Sequence, residues 1–499
     1  MSTIVVSALL LAFIVYIAVG MVLGSRTRNI ADLLPLEFSR QACVKNSVEF
    51  SASTVATTIS MATVIMAFFE LAQRQGVWLF WTVITTSAGL FVVRLFAKKI
   101  WERISVYDHR PTLHEFLGKE YNSEALSYVG AICTSLGFLC AFAVELTVGS
   151  RFFAGVVPFV PAWSVVVILS VVAFIYTALG GFRAVIVTDR IQMVSIWLLL
   201  LSLPVFYIYY VANHGGWAEN FVKIPPEIVN FSYREGLIPF LLGIFVINVP
   251  TFISDMSIWQ RIAGAQKKQT VVGGLWRSVF SSASTWGLFA ILACFVFMIV
   301  EPLQGVNPLL SVVRVIGNTK GFLPTFVLFF TVLGLYGAML STASTQLIAV
   351  SHTLYEDVFS RIRRHPLKER LELKRELNIS RFILVLAAII STILVELLSS
   401  VGFSIADLVF AIYGAQLGLC PLVIAALLLK REQLSGLSLW AALAVSAGFI
   451  TGWSTAVYGR LTQNTDLVFL APVSSLAISS LFLFAGFLTA KAGKLHPQV

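Results

Sequence analysis

Residues 176–192 read YTALGGFRAVIVTDRIQ, a polar and glycine-bearing interruption in an otherwise apolar passage. Gly180-Gly181 predicts a tight turn, because glycine adopts backbone angles that other residues avoid. Asp189 then stands where the next helix begins. A carboxylate there either caps the helix N-terminus, at the positive end of its dipole, or completes a cation site. The flanking runs, near 162–180 and 189–212, are each of the length a bilayer-crossing helix needs, about 20 mostly apolar residues.

Carried outward, the same reading finds thirteen such runs. They lie near 4–23, 47–72, 77–97, 125–152, 162–180, 189–212, 236–258, 274–300, 321–357, 380–399, 403–429, 436–457 and 466–490. The first has no preceding basic region and no A-x-A site, so it reads as a true span and not a cleaved signal. Composition agrees. Only 12% of the residues are charged, about half of what soluble domains carry. The chain reads as an all-α polytopic protein of the cell membrane, one transmembrane domain over 1–499.

The net charge of +10 raises nucleic-acid binding until its placement is examined. With the N-terminus outside, the inside segments hold 28 of the 35 basic residues, and the outside ones only Arg74, Arg151, Lys223, Arg234, Arg314, Lys320 and Arg460. That is the positive-inside bias of an N-out, C-in protein, so the charge records orientation and gives no reason to expect a nucleic-acid partner. The outside loop over 211–235 is amphipathic and should lie along the surface. The basic run 361–375 reads as a solvated inner linker. Five cysteines without CxxC spacing, most of them in apolar runs, exclude a disulfide framework or zinc site.

Polar groups inside the spans carry the functional information. Residues 51–63, SASTVATTISMAT, are rich in hydroxyls, which suits either close packing or a discontinuous helix facing an ion and a solute. In GAMLSTASTQL, Ala338, Ser341 and Thr345 share one helical stripe, flanked by Thr342 and Ser344. Hard cations such as sodium take oxygen ligands, which these side chains supply without fixed charge. Glu70 and Arg74 stand four apart and are placed to pair. His352 reads as a packed, hydrogen-bonded residue.

Taken together these residues resemble the sodium:solute symporter family. YTALGGFRAVIVTDRIQ resembles its YTxxGGxxAVxxTDxxQ signature, Ala338-x-x-Ser341-Thr342 its sodium-site helix, and Ala56-Thr57-Thr58-Ile59-Ser60 its first core helix. Gln260-Arg261 before AGAQKK matches a QR-x-x-A loop, and His114-Glu115-Phe116 is a weaker echo of PEF. The resemblance implies a LeuT-type fold. A leading helix (4–23) would precede two inverted five-helix repeats (47–212 and 236–429), followed by two trailing helices (436–490). Each repeat would open with a broken helix, the second marked by Pro250 after Asn248.

The resemblance implies a main sodium site at the carbonyls of Ala56, Ile59 and Ala338 and the hydroxyls of Ser341 and Thr342. Some relatives hold a second sodium, whose counterpart here would be Asp189, Ser341, Ser344 and Thr345, so one ion is expected and two are open. Substrate would lie near Ser60, Thr63 and Asn248, with Gln416 contributing and Phe252 as the gate, one residue off the family position. The ATTIS string with Thr63 resembles sialic-acid-transporting members, which hold a carboxylate with an Arg on the helix equivalent to span four. Here that helix carries Glu145, and Arg151 only near its outer end. An amino-acid-like solute is favoured, with a sugar or carboxylate left open. The expected activity is symport of sodium with a small organic solute by alternating access, needing no organic cofactor and no obligate protein partner. No GxxxxGK[ST] or Ser-His-Asp set points to a pump or an enzyme. The rival is a transporter-derived solute sensor without coupled flux.

Overall fold

The structure is a computed structural model describing residues 2–37, 43–157, 159–302, 305–363, 369–370, 374–401 and 404–495. Among these the secondary structure is helical, apart from one isolated backbone bridge between Val44 and Ala265. Eleven helical segments are long and apolar enough to cross a membrane. Large side chains such as Ile14, Leu95, Leu201 and Ile393 remain exposed along them, which suits lipid tails as apolar as they are. Of the basic run 361–375, positions 364–368 and 371–373 lie outside the described residues.

After α1 (Ser2–Gly24), the chain enters α2 (Ser47–Thr58) through Asn46. The Asn46 side chain accepts the Val48 and Glu49 N–H groups at 3.0 and 2.9 Å, a polar cap for the helix start. α2 stops at Ile59 (φ −95°, ψ 76°), Ser60 is extended, and a π turn over Met61–Met66 leads into α3 (Ala67–Gln75). The hydroxyl-rich stretch is thus a broken helix with neither Gly nor Pro at the break. Side chains satisfy the groups it frees. Ser60 Oγ accepts the Thr63 N–H at 2.8 Å, while Glu145 accepts the Ser60 hydroxyl and, at 3.4 Å, the Ala62 N–H.

A sharp turn at Gly76 (φ 53°) joins α3 to α4 (Phe80–Ile104), and the short α5 (Leu113–Glu120) precedes α6 (Glu124–Val156). α7 (Ala162–Asn213) runs for 52 residues but is not one straight helix. Gly181 interrupts it at φ 61°, ψ −157°, and a Cβ there would lie 2.4 Å from the Leu33 carbonyl oxygen. Both the backbone angle and the space demand glycine. Asp189 lies eight residues beyond this break, well inside the helix, so it does not cap a helix N-terminus as its sequence position suggests.

The second broken helix comprises α8 (Leu237–Ser254) and α9 (Met256–Gly264). The break falls at Asp255 (φ −78°, ψ 116°), not at Pro250, which sits inside α8. Proline removes one backbone donor and leaves the chain able to continue. Asp255 ends it by capping a new helix, accepting the Ser257 and Ile258 N–H groups at 2.7 and 3.3 Å. The two broken helices are tied end to end. Val44 N–H donates to the Gly264 carbonyl at 3.1 Å, and Gln266 N–H to that of Val44 at 3.3 Å.

α10 (Lys268–Phe295) packs against α2 and α4, and α11 (Phe322–Thr353) threads the centre, buried at every residue from Gly334 to Thr353. Close approach makes this possible. At Gly334 and Gly337 a Cβ would lie only 2.5 and 2.3 Å from Leu199 and Ser195 of α7, the small-residue contact that lets membrane helices approach closely. α12 (Lys374–Val401) and α13 (Ile405–Gln416) follow, and α14 (Ser438–Leu461) and α15 (Thr465–Leu495) pair against α13.

Candidate functional site

α11 brings its hydroxyl stripe to the first break. Ser341 Oγ donates to the carbonyl oxygens of Ala56 and Ala338, each at 2.8 Å. Thr342 Oγ1 reaches the carbonyls of Thr57 and Ala338 at 3.2 and 3.3 Å. Ile59 is buried one helical turn beyond Ala56, and its N–H turns back to the Val55 and Ala56 carbonyls. The oxygens gathered here are neutral throughout: the Ala56 and Thr57 carbonyls at the end of α2, the Ala338 carbonyl within α11 and the two hydroxyls. That chemistry fits a hard monovalent cation.

A second polar cluster lies alongside. Arg261 of α9 is fully buried, and its Nη2 meets Asp189 Oδ2 at 3.1 Å. Its Nε donates to Ser53 at 2.8 Å, while Nη2 also donates to Thr57 at 2.5 Å and Thr345 at 3.0 Å. Nη1 takes the Ser257 carbonyl at 2.9 Å. Ser53 donates to Asp189 as well. One guanidinium therefore knits α2, α7, α9 and α11 together in geometry that a buried pair requires. Asp189 Oδ1 and the Gln192 side chain have no hydrogen-bond partner among the described residues.

Between the two breaks and α11 lies a cavity. Thr63, Asn248, Phe252, Asp255, Gln346 and Tyr413 are among its lining residues. Thr342 and Thr345 border it too, so the cavity opens directly on both oxygen clusters. Asn248 is held in place by donating to Thr85 Oγ1 at 3.0 Å and the Thr82 carbonyl at 3.4 Å. Cavities of this kind, between broken helices, are where transporters hold their cargo.

The profile of the sodium:solute symporter family matches residues 44–444, which include both breaks, both clusters and the cavity. The chain belongs to the sodium:solute symporter family. It is 26% identical over 266 residues to the sodium/sialic acid symporter SiaT of Proteus mirabilis, a match covering 49% of each chain. It is 22% identical over 190 residues to the sodium/pantothenate symporter of Haemophilus influenzae, covering 38% and 39%. These matches span half or less of the length of the curated relatives. In three dimensions the chain resembles a sodium-coupled sialic acid symporter in a substrate-bound outward-open state. There the TM-score is 0.74 at 18% identity, covering 98% and 97%. A nucleobase-cation-symport-1 transporter in a closed conformation gives 0.57 at 14% identity, covering 94% and 96%. These likenesses give a LeuT-like fold, and with its eleven segments long and apolar enough to cross a membrane the chain is a multi-pass membrane protein.

For this sodium:solute symporter family member, the structure gathers some expected residues and separates others. Ala56, Ala338, Ser341 and Thr342 converge. Thr63, Asn248 and Phe252 line the cavity. Ser60 is turned away from it towards Glu145. Gln416 lies elsewhere, against Gly137 and beside Cys133 and Thr134. Ser344 donates to the Ser341 carbonyl at 3.3 Å and does not join the Arg261 network. Glu70 pairs with Arg74 at 3.0 Å, and Asp407 lies 3.8 Å from the same guanidinium. His352 is buried and meets the Gln260 amide at 2.9 Å. Sequence reasoning assigned no role to Asp255, Arg261 or Tyr413. The Asp255-x5-Arg261 spacing in the second opener was the available signal.

Proposed function

We propose that this chain is a secondary symporter that couples inward sodium movement to uptake of a small organic solute by alternating access. The observation that carries the reading is the Ser341 hydroxyl on the Ala56 carbonyl, an oxygen-only cluster at the mouth of a broken helix beside a cavity. Relatives named for sodium-coupled transport of sialic acid and pantothenate support it. Two of the eleven apolar segments, Met61–Ile104 and Trp163–Asn213, are 44 and 51 residues long, roughly twice one crossing. Each turns at a positive-φ glycine, Gly76 and Gly181, whereas the 41-residue Phe322–Ile362 contains none. Counting each as two gives thirteen crossings, one leading, two sets of five (47–212 and 236–429) and two trailing, with the N-terminus outside.

Sodium would be held by the Ala56, Ile59 and Ala338 carbonyls with Ser341 and Thr342, and the solute by Thr63, Asn248 and their neighbours, with Phe252 closing over it. We propose one sodium per cycle. Asp189, Ser344 and Thr345 take a second ion only in a conformation in which Arg261 has withdrawn, because one carboxylate does not balance two cations in a low-dielectric interior. The cycle follows from differential binding: an ion that binds the outward form better than the inward one shifts the population.

The test is a thermal-shift comparison of sodium against potassium, followed by proteoliposome uptake of any solute that stabilises the sodium form. Accumulation that follows the sodium gradient is expected. Binding without gradient-driven accumulation would identify a sensor and end the symport reading.

A further inference from the structure

We propose that the cavity selects an uncharged, hydroxyl-bearing solute, held by Thr54, Thr251, Trp286 and Gln346. The inference rests on the symport reading and narrows its substrate class. Four helices each bring one polar side chain to the same cavity: α2 Thr54, α8 Thr251, α10 Trp286 and α11 Gln346. None of the four is more than 7% exposed. Among the described residues, Thr54 Oγ1, Thr251 Oγ1, Trp286 Nε1 and Gln346 Oε1 have no hydrogen-bond partner. Buried polar atoms are seldom left so, because each then bears its full desolvation cost. Nearby threonines behave differently. Thr57, Thr58 and Thr85 spend their hydroxyls on carbonyls three or four residues back, the usual local bond of a threonine in a helix.

The chemistry of the four atoms sets the class. An indole N–H only donates, an amide oxygen only accepts, and a threonine hydroxyl does either. A solute that answers all four must offer donors and acceptors together, which each hydroxyl group does by itself. Trp286 is steadied by an edge-on contact with Phe68, ring centroids 5.4 Å apart, so its N–H has a set direction. The charged side chains of the lining, Asp255 and Arg261, are already engaged. Arg261 spends its three nitrogens on Asp189, Ser53, Thr57, Thr345 and the Ser257 carbonyl. Asp255 caps α9 through the Ser257 and Ile258 N–H groups, with the Ser257 hydroxyl beside it. Glu145 stands behind Ser60 and does not line the cavity. An ionic group on the solute therefore finds no disengaged counter-charge in the lining, and burying it unpaired is costly.

The experiment uses the full-length protein in nanodiscs, in sodium and in potassium, with binding read by thermal shift. Glucose, myo-inositol and N-acetylglucosamine are the neutral probes; N-acetylneuraminate, pantothenate and choline are the charged ones. In sodium, at least one neutral probe is expected to bind about tenfold more tightly than any charged one. Thr251→Val and Gln346→Met each remove a polar atom with little change of shape. Each is expected to weaken that probe about tenfold, while the solute-free unfolding temperature stays level or rises because an unmatched group is gone. Four results would overturn the proposal: tighter binding of a charged probe, failure of all three neutral probes, affinity unchanged in both variants, or a solute-free unfolding temperature lowered in both. Wherever sodium still stabilises the protein, these leave the symport reading standing. Neutral-probe binding that is indifferent to sodium would instead support the solute class and end the symport reading.

Discussion

Ser341 and Arg261 stand in neighbouring clusters and should fail in different ways. Ser341→Ala removes one neutral oxygen from the proposed sodium site, and the fold keeps its packing. We expect sodium-induced stabilisation to need about tenfold more sodium, read by thermal shift in sodium titrations; an unchanged midpoint would remove Ser341 from the site. Arg261→Met leaves Asp189 buried without its partner. We expect a loss of about 3–5 kcal/mol, seen as a large fall in unfolding temperature. The paired change of Asp189→Asn with Arg261→Met should recover much of it. The Ser341 contact with Ala338 was legible in the sequence because the two share one helical stripe. Its contact with Ala56, on another helix, was expected only from the resemblance. The Arg261 role was not legible. Asp189 and Arg261 are 72 residues apart, and spacing along a chain does not reveal partners on different helices.

The two breaks are made by different devices. The first was legible from its Ser and Thr density, because hydroxyls satisfy the backbone groups a break exposes. The second was placed five residues early. Pro250 looked like the breaker, but the Asp255 cap decides where a helix restarts. Asp255→Ala should therefore cost about 1 kcal/mol more than Asp255→Asn, measured by thermal unfolding in potassium so that ion binding does not enter. α5, outside the candidate spans, offers a pH test. Burial pushes the Glu115 carboxyl up, but His109 at 2.9 Å and Lys119 outweigh it and hold it at about 2. Burial pushes the His109 ring down, yet the hydrogen bond that it donates to the Glu115 carboxylate raises it above its usual value. A raised histidine stabilises the fold below its unfolded pKa of about 6.5, and that contribution is lost as pH rises through the folded value. A lowered glutamate contributes above its unfolded pKa and loses that contribution as pH falls towards 2. The stability difference between wild type and His109→Ala should thus be present near pH 6 and narrow steadily above it.

Across the whole molecule, the apolar spans and their basic flanks were readable because a bilayer imposes length and charge asymmetry on every crossing. The proposed orientation puts Gln463 outside and Lys430 inside. In a background freed of the five native cysteines, a cysteine at 463 should react with an impermeant reagent added to intact cells, while one at 430 should not. Reversed labelling would invert the topology.

The Arg261 knot also has a consequence for biogenesis. A ribosome adding about 5–20 residues per second needs roughly 4–14 seconds to pass from Asp189 to Arg261. During that interval a carboxylate destined for the membrane interior waits without its counter-charge, at a cost of about 2.5–3.5 kcal/mol for a helix centre. Ser53 and Thr57, already made, can offer hydroxyls but no positive charge. That cost predicts that the first half of the bundle packs fully only once the second broken helix arrives, which would couple insertion of the two halves through the Asp189–Arg261 pair.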